Sequence, residues 1–269
     1  MSALTYVNAG ALTIGTVNPT GITATGDVRI ETLSGDLTIA QNITTTSATA
    51  TAVLINAGKS SAAGTATGGN IVITGTPTIT AGTGGNIRLM GGSVSGSAGL
   101  SALVGSGSGN FRYNSDETNT NYTWALSPNV VNAIYREQPT ATANIDSYGV
   151  TYGFDHNNTL NNLKPDGTSA LSTSRVALNG DENVTGLGVI IQGATYSTAG
   201  KLNYRATAYD LTDGLSKLGY AMSQTGGSQL SVAKKSINLA GFVVNNKVYD
   251  GNTAATFSGT VTFNTLETN

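Results

Sequence analysis

The amino-acid sequence predicts a mainly all-β protein, in which a right-handed parallel β-helix is followed by small β-rich domains. A β-grasp-like α+β arrangement is an alternative for those small domains. Three observations predict this class. Val, Ile and Leu recur at every second position, which is typical of short strands. Turns of Gly, Asn, Asp and Thr separate the strands at short spacing. Glycine is frequent, at 35 residues, while charged residues make up only 10%, against about 25% in ordinary globular proteins.

A loose repeat runs through residues 1–110, where a Gly-containing turn precedes an apolar–polar–apolar triplet. The copies are GALTI at 10–14, GDVRI at 26–30, GDLTI at 35–39, AVLI at 52–55, GNIVI at 69–73 and GNIRL at 85–89. In a β-helix, the inward Val, Ile and Leu of one coil stack on those of the next coil. Gly, Asn and Asp tolerate the positive φ that tight corners require. Residues 1–110 are therefore predicted to form a β-helical stalk.

The predicted stalk has about five coils at roughly 20 residues per coil. With about 4.8 Å between neighbouring strands, it would be about 25 Å long. An antiparallel sandwich would show similar short strands and is the alternative interpretation.

The segment 111–135 interrupts the repeat with aromatic residues, including the single tryptophan, Trp124, and Tyr113, Tyr122 and Tyr135. The end of a strand solenoid exposes apolar core and unpaired strand edges. We therefore predict that this segment is a cap and linker. In the alternative interpretation, Tyr113, Tyr122 and Trp124 form an aromatic platform for a ligand such as a sugar.

Residues 136–235 are predicted to form a separate small β-rich domain. Its strand candidates are ATANI at 141–145, GLGVIIQG at 186–193, LNYRATAYDL at 202–211 and SQLSVAKKS at 228–236. The stretch TDGLSKLGYAM could hold a short helix. Residues 236–269 begin a new strand pattern, and two or three strands do not form an independently stable unit. We expect this last segment to be the truncated start of a further domain.

Composition excludes several classes of function. The net charge of −2 and the absence of Lys/Arg clusters argue against nucleic-acid binding. The chain has no cysteine, which excludes disulfides and thiolate metal sites. No stretch approaches the roughly 18 apolar residues of a membrane span, so membrane insertion is not expected. The first residues lack the pattern of a signal peptide, so we expect any export signal to lie outside this sequence.

Residues that could carry chemistry are sparse. The single histidine, His156, has no second His or Cys with which to form a metal site, and no G-x-S-x-G motif is present. Calcium sites often show D-x-D-x-D-G patterns, which are absent, although NGDEN at 179–183 is an alternative site for adventitious calcium. The sequence therefore predicts no catalytic residue, no cofactor and no metal ligand, and a protein that is not an enzyme.

Several motifs together resemble the filamentous-haemagglutinin-like adhesins that Gram-negative bacteria export by two-partner secretion. GNIVI and GNIRLMGGSVSG resemble their β-helix repeats, and NAIYREQPTATA resembles the junction that follows. YGVTYGFDHNNTL, YSTAGKLNYRATAY and QLSVAKKSI resemble a YG-type repeat domain, whose namesake pair would be Tyr152-Gly153. NNKVYDGNTAAT resembles the opening of a YDG-type domain, with Tyr249, Asp250 and Gly251 as the namesake triplet.

The resemblance implies a segment of a large secreted surface adhesin, in which a stalk and repeat domains serve adhesion to cells or biofilm. It implies an outer-membrane partner transporter, engaged through an amino-terminal domain that this sequence lacks. The expected binding partners are a host glycan, a biofilm polysaccharide or like adhesin molecules, and the expected location is the bacterial cell surface. Two alternatives are a self-assembling extracellular filament subunit and a β-helix polysaccharide lyase or hydrolase.

Overall fold

The computed structural model of the chain describes residues 2–145, 148–151, 177–187, 189–192, 207–208, 210–226 and 229–264. It divides into two compact units, each assembled from separate parts of the chain. The first unit is 1–144 with 173–189 and 213–225, and the second is 145–172 with 190–212 and 226–269.

The first unit consists mainly of short strands. In chain order its elements are β1 (Leu4–Asn8), β2 (Leu12–Ile14), β3 (Ile22–Ala24), β4 (Val28–Thr32), β5 (Leu37–Ile39), β6 (Ile43–Thr45), β7 (Val53–Asn56), β8 (Ile71–Ile73), β9 (Ile79–Thr80), β10 (Ile87–Gly91), helix α1 (Leu100–Val104), β11 (Phe111–Arg112), β12 (Val131–Tyr135) and β13 (Thr140–Ile145). A mainly β class with short strands is thus confirmed.

Three sheets receive strands β1 to β10 in strict rotation, and β11 and β12 then both join the first sheet. The first sheet has the order β1-β4-β7-β10-β12-β11, the second β2-β5-β8 and the third β3-β6-β9. Each strand pair described within these three sheets is parallel. The antiparallel sandwich is therefore wrong for this region. From β1 to β10 the chain returns to each sheet only after it has visited the other two, so neighbouring strands run in the same direction.

Stacked apolar residues form the core between the three sheets. In the first sheet, Val28 lies beside Val53, and Ile30 beside Ile55; all four are at most 3% exposed. Leu37, Ile39, Ile43 and Ile71 in the other two sheets are fully buried. Because successive side chains of a strand point to opposite faces, the alternation in the sequence predicted these inward positions.

Glycine permits close contact between corners of successive turns of the chain. Gly35 has φ +80° and donates its N–H to the Gly68 carbonyl at 2.7 Å. Gly69 has φ +152°, and a Cβ at that position would lie 2.2 Å from the Gly35 carbonyl oxygen. A side chain at Gly69 would therefore force these two corners apart.

Helix α1 lies in the Gly/Ser-rich stretch 92–110, at the end of the predicted stalk. Its five residues are too few to show a helical period. Leu100 is fully buried, and Leu103 and Val104 pack against the core cluster. Gly99, with φ 77°, begins the helix, and Gly105 ends it.

Residues that lie far along the sequence from the strands of the three sheets belong to the same core cluster, which also contains Tyr135 of β12. Leu187, Leu215, Leu218 and Tyr220 belong to the core cluster and are at most 4% exposed. They come from two short 3₁₀ segments and their flanks, Asp181–Asn183 and Gly214–Leu218. The second segment occupies the stretch in which a short helix is expected. Strand β12 also belongs to the first sheet, although it lies in the segment 111–135 predicted as cap and linker.

The remaining strands are β14 (Tyr148–Thr151), β15 (Val189–Gln192), β16 (Thr207–Ala208), β17 (Asp210–Asp213), β18 (Ala221–Gly226), β19 (Gln229–Ala233), β20 (Asn238–Ala240), β21 (Val243–Val244), β22 (Phe257–Ser258) and β23 (Thr262–Asn264). In the second unit, β14 and β19 pair in parallel, and β16 and β19 pair antiparallel. Four predicted strand candidates thus contain or overlap observed strands. The division into four segments at 110, 135 and 235 stays a prediction.

A hairpin of two short antiparallel ladders ends the described chain. Strand β20 pairs with β23, and β21 pairs with β22. Among all described residues, no helix has the length and apolarity that crossing a membrane requires.

Candidate functional site

The outer face of the first sheet carries an apolar row that the repeat pattern does not predict. Leu54, Met90 and Ile134 point away from the core, yet they are only 2–3% exposed. They form a separate cluster, against which Tyr122 and Leu126 pack. The segment 112–130 therefore covers part of this outer face.

Hydrogen bonds from buried polar groups hold this covering segment in place. The Arg112 guanidinium donates to the Trp124 carbonyl at 2.9 Å and also to the Ala125 carbonyl. On strand β12, the Asn132 amide accepts from the Ser127 N–H at 3.1 Å and donates to the Ser127 carbonyl at 2.9 Å. These contacts anchor both ends of the stretch 124–127.

A cluster of four charged side chains lies beside the apolar row. The fully buried Glu31 carboxylate accepts from Arg29 at 2.7 Å and from Lys59 at 2.6 Å. Arg29 also pairs with Glu117 from the covering segment, and Asn56 donates to Glu117 at 3.2 Å. Two carboxylates and two cations thus meet on one sheet face, although residues 31 and 117 are far apart in sequence.

The protonation state of Glu31 limits what this cluster can do. Burial raises the pKa of the Glu31 carboxyl, but the hydrogen bonds from Lys59 and Arg29 outweigh burial and hold the pKa below its ordinary value. A general acid needs a raised pKa, near the working pH. Glu31 is therefore suited to bind cations rather than to donate a proton. No sequence signal pointed to this pairing of Glu31 and Glu117.

Tyr113, one of the three proposed platform residues, lies in the apolar core cluster. It is fully buried, and its ring stacks on Tyr135 at 5.7 Å and meets Tyr220 edge-on at 4.5 Å. Its hydroxyl donates to Asp181 Oδ2 at 2.7 Å and accepts from Asn179 at 2.8 Å. The Tyr113 ring therefore has no face open to a ligand, and it belongs to the core cluster.

The Asp181 carboxylate is the centre of this polar cluster. Tyr220 also donates to Asp181 Oδ2, at 2.9 Å, whereas Oδ1 is buried without a hydrogen-bond partner. Burial raises the pKa of Asp181 to about 6, against the opposing hydrogen bonds from Tyr113 and Tyr220. Asp181 is one of the two acidic residues of the NGDEN stretch, and its bonded oxygen is occupied by two phenols. This geometry favours a structural hydrogen-bonding role for Asp181 over a calcium site.

Tyr122 and Trp124 are both half-buried. Tyr122 packs on the outer apolar row, and Trp124 packs against the core cluster and Gly186. The Arg112 guanidinium lies 5.6 Å from the Tyr122 ring, and Lys217 Nζ lies 5.9 Å from the Trp124 ring. A ligand platform formed by the Tyr122 and Trp124 rings stays a prediction. Tyr113 is too deeply buried to belong to it.

The Tyr-Asp-Gly triplet lies at the exposed tip of the hairpin. Asp250 accepts from Lys247 at 2.8 Å and from the Asn252 N–H at 2.9 Å, and Gly251 has φ 68°. Asp250 and Gly251 thus shape the turn, as an Asp-Gly pair predicts. Tyr249 is 93% exposed, so it does not pack under the turn.

The YG pair, Tyr152 and Gly153, lies outside the described residues, as does His156. Within the part of the chain that the structure describes, no group of three or more His, Cys, Asp or Glu residues is arranged to hold a metal ion. No protein-family model, curated protein or solved structure matches this chain.

Proposed function

We propose that the chain is a segment of a large secreted bacterial surface adhesin, in which residues 1–110 form a right-handed parallel β-helix stalk. The rotation of strands β1 to β10 among three parallel sheets carries this proposal. A chain that revisits each sheet in the same direction advances by one strand spacing, about 4.8 Å, per turn. Parallel crossovers are right-handed in about 98% of cases.

The stalk's role is mechanical. Stacked strand ladders and a continuous apolar core resist bending, and the surface is wetted by Thr, Ser and Asn rather than by many charges. Such hydroxyls and amides offer numerous weak contacts to a glycan, to a biofilm polysaccharide or to another adhesin molecule. We also propose that the chain is exported through an outer-membrane partner transporter and displayed on a Gram-negative cell surface. The motif resemblance supports this part of the proposal.

Adhesion of beads that carry the purified chain tests this function. We expect coated beads to adhere to polysaccharide-coated surfaces, to host-cell glycans or to each other, whereas beads coated with an unrelated β protein do not. Circular dichroism before coating checks that the chain is folded. Folded chains that adhere to none of these surfaces would overturn the adhesin proposal.

A polysaccharide lyase or hydrolase is a second candidate because the part-exposed Glu117 lies in one charged cluster with Glu31, whose lowered pKa keeps it ionised and excludes it as the proton donor. Paired carboxylates are the usual residues of glycoside hydrolysis. Incubation with polysaccharides, followed by a reducing-end assay, tests this candidate. Turnover that is lost in Glu117→Gln, and kept in the exposed control Asp250→Asn, would favour the enzyme over the adhesin.

A filament subunit is a third candidate because β1, β2 and β3 are edge strands of their sheets. Around them, a cleft of about 220 Å³ is lined by apolar residues that include Leu4, Tyr6 and Leu12. Exposed strand edges are templates for pairing with another chain. Ordered fibres in electron micrographs of the purified chain would favour this candidate.

A further inference from the structure

The terminal hairpin, defined here as residues 237–264, exposes an unusual amount of apolar surface. Every residue from 236 to 263 is exposed. Ten large apolar side chains in it are 44–93% exposed. They are Ile237, Leu239, Phe242, Val243, Val244, Val248, Tyr249, Phe257, Val261 and Phe263.

These side chains form cross-strand pairs with each other rather than with a core. Leu239 lies opposite Phe263, and Val244 opposite Phe257. The Phe242 and Phe257 rings meet edge-on at 6.0 Å. A two-stranded hairpin of this kind is at best marginally stable in water by itself, so burial of its apolar surface by a partner would stabilise it.

The exposed surface is large enough for a stable interface. At about 150–250 Å² for each aromatic side chain, the exposed fractions of Phe242, Tyr249, Phe257 and Phe263 alone amount to on the order of 500 Å², and the six aliphatic side chains add to this area. Standard interfaces bury about 800 Å² per partner, and about 1,000 Å² in total marks the lower limit for a specific one. The exposed aromatic surfaces of two molecules together reach that limit, at about 1,000 Å².

The charges of the hairpin favour the same hairpin of a second molecule as its binding partner. Lys247 and Asp250 are the only charged residues between 236 and 264, and they pair with each other at 2.8 Å. Two hairpins can therefore meet without like-charge repulsion, and no unbalanced charge is left to attract an ionic partner. Identical strands can pair antiparallel across a two-fold axis, which gives the closed symmetry of most homodimers.

We propose that the terminal hairpin is a dimerisation surface whose partner is the same hairpin of a second copy of this chain. Apolar cross-strand residues pack in the interface. The tip residues Val248 and Tyr249, 90% and 93% exposed, add contacts at its margin. This proposal does not depend on the function proposed above.

Sedimentation velocity of the full chain over the micromolar range tests the proposal. We expect a concentration-dependent dimer. The double variant Leu239→Lys/Phe263→Lys places two charges on one cross-strand pair and should weaken dimerisation about tenfold or more. The matched control, Tyr6→Lys/Val17→Lys, changes exposed apolar residues at the first strands, 47% and 69% exposed, and should leave the dimer intact. Urea unfolding of both variants checks that the first unit is folded.

A wild-type chain that stays monomeric throughout this range would overturn the proposal. A dimer that survives Leu239→Lys/Phe263→Lys would also overturn it, as would a dimer lost only in the control variant. The last result would place association at the first strands and favour the filament candidate.

Discussion

Arg112 and Arg136 are fully buried, and backbone carbonyls accept from both guanidinium groups, although the Arg136 Nε–H is buried without a hydrogen-bond partner. Arg112 donates to carbonyls of residues 109, 111, 124 and 125. Arg136 donates to the carbonyls of Ala57, Thr67 and Gly69. Burial lowers the pKa of Arg112 to about 10, so it stays charged at neutral pH. Each arginine side chain thus links backbone carbonyls from separate parts of the chain through its hydrogen bonds.

Asp181→Asn is expected to stabilise the protein at neutral pH. Because burial raises the pKa of Asp181 to about 6 from 3.8, the stability that its protonated form contributes is fully present below about pH 4 and is lost as the pH rises through 6. The asparagine is neutral and still accepts from Tyr113 and Tyr220. Urea unfolding should show a free energy of unfolding about 1–3 kcal/mol above wild type at pH 7.5, and no such gain at pH 4.

Asp116→Asn is the matched control and should have the opposite sign. Burial raises the pKa of Asp116, but hydrogen bonds from Asn119, Ala63 and Thr118 outweigh it and lower that pKa to about 2. The carboxylate therefore contributes stability above about pH 4 that is lost as the pH falls through 2. The variant should be less stable than wild type at pH 7.5. If Asp181→Asn is less stable than wild type at pH 7.5, the ionised Asp181 carboxylate does not destabilise the folded protein, and the prediction is wrong.

At the scale of the turns between strands, Gly69→Ala is expected to cost about 3 kcal/mol or more in unfolding free energy. The new Cβ would lie 2.2 Å from the Gly35 carbonyl oxygen, so two stacked corners must separate. Gly75→Ala is the control, because Gly75 has φ +69° but no atom within 4 Å of the added Cβ. It should cost only about 1–2 kcal/mol. Equal losses in urea unfolding would show that stacking of corners contributes little.

At the scale of the first sheet, Ile134→Ala is expected to cost about 2–5 kcal/mol, although its side chain points outward. Ile134 is 2% exposed under the covering segment. The control is Thr44→Ala, an exposed position of strand β6, which should change stability by about 0.5 kcal/mol or less. Urea unfolding compares the two. An Ile134 variant as stable as the control would mean that residues 112–130 do not cover this face in solution.

At the scale of the whole molecule, a chain cut after residue 144 should lose stability and expose its core. It lacks Leu187, Leu215, Leu218 and Tyr220, which complete the apolar cluster, and each buried side chain of this kind contributes about 1.5–3 kcal/mol. We expect a lower urea midpoint and stronger binding of the dye ANS than in the full chain.

A chain cut after residue 235 is the control, because it keeps these core residues and removes only the exposed hairpin. Its urea midpoint should match that of the full chain. If the chain cut after 144 unfolds at the same urea concentration as this control, the later segments do not contribute to the core.

Local patterns made much of the first unit predictable. The alternation of Val, Ile and Leu and the spacing of glycines are properties of neighbouring residues, so they predict strands such as Val28–Thr32 and Ile87–Gly91 directly from the sequence. Helix α1 was not predicted because its five residues are too few to show the 3.6-residue period of a helix.

The sequence by itself determined that this protein is built from short strands with an apolar core and glycine corners, because side-chain alternation and positive φ are local requirements. Only the tertiary structure decided which residues cover that core and its outer face. Tyr113 and Asp181 are 68 residues apart, and Arg29 and Glu117 are 88 apart. Contacts at such separations depend on how the whole chain packs, and no local pattern encodes them.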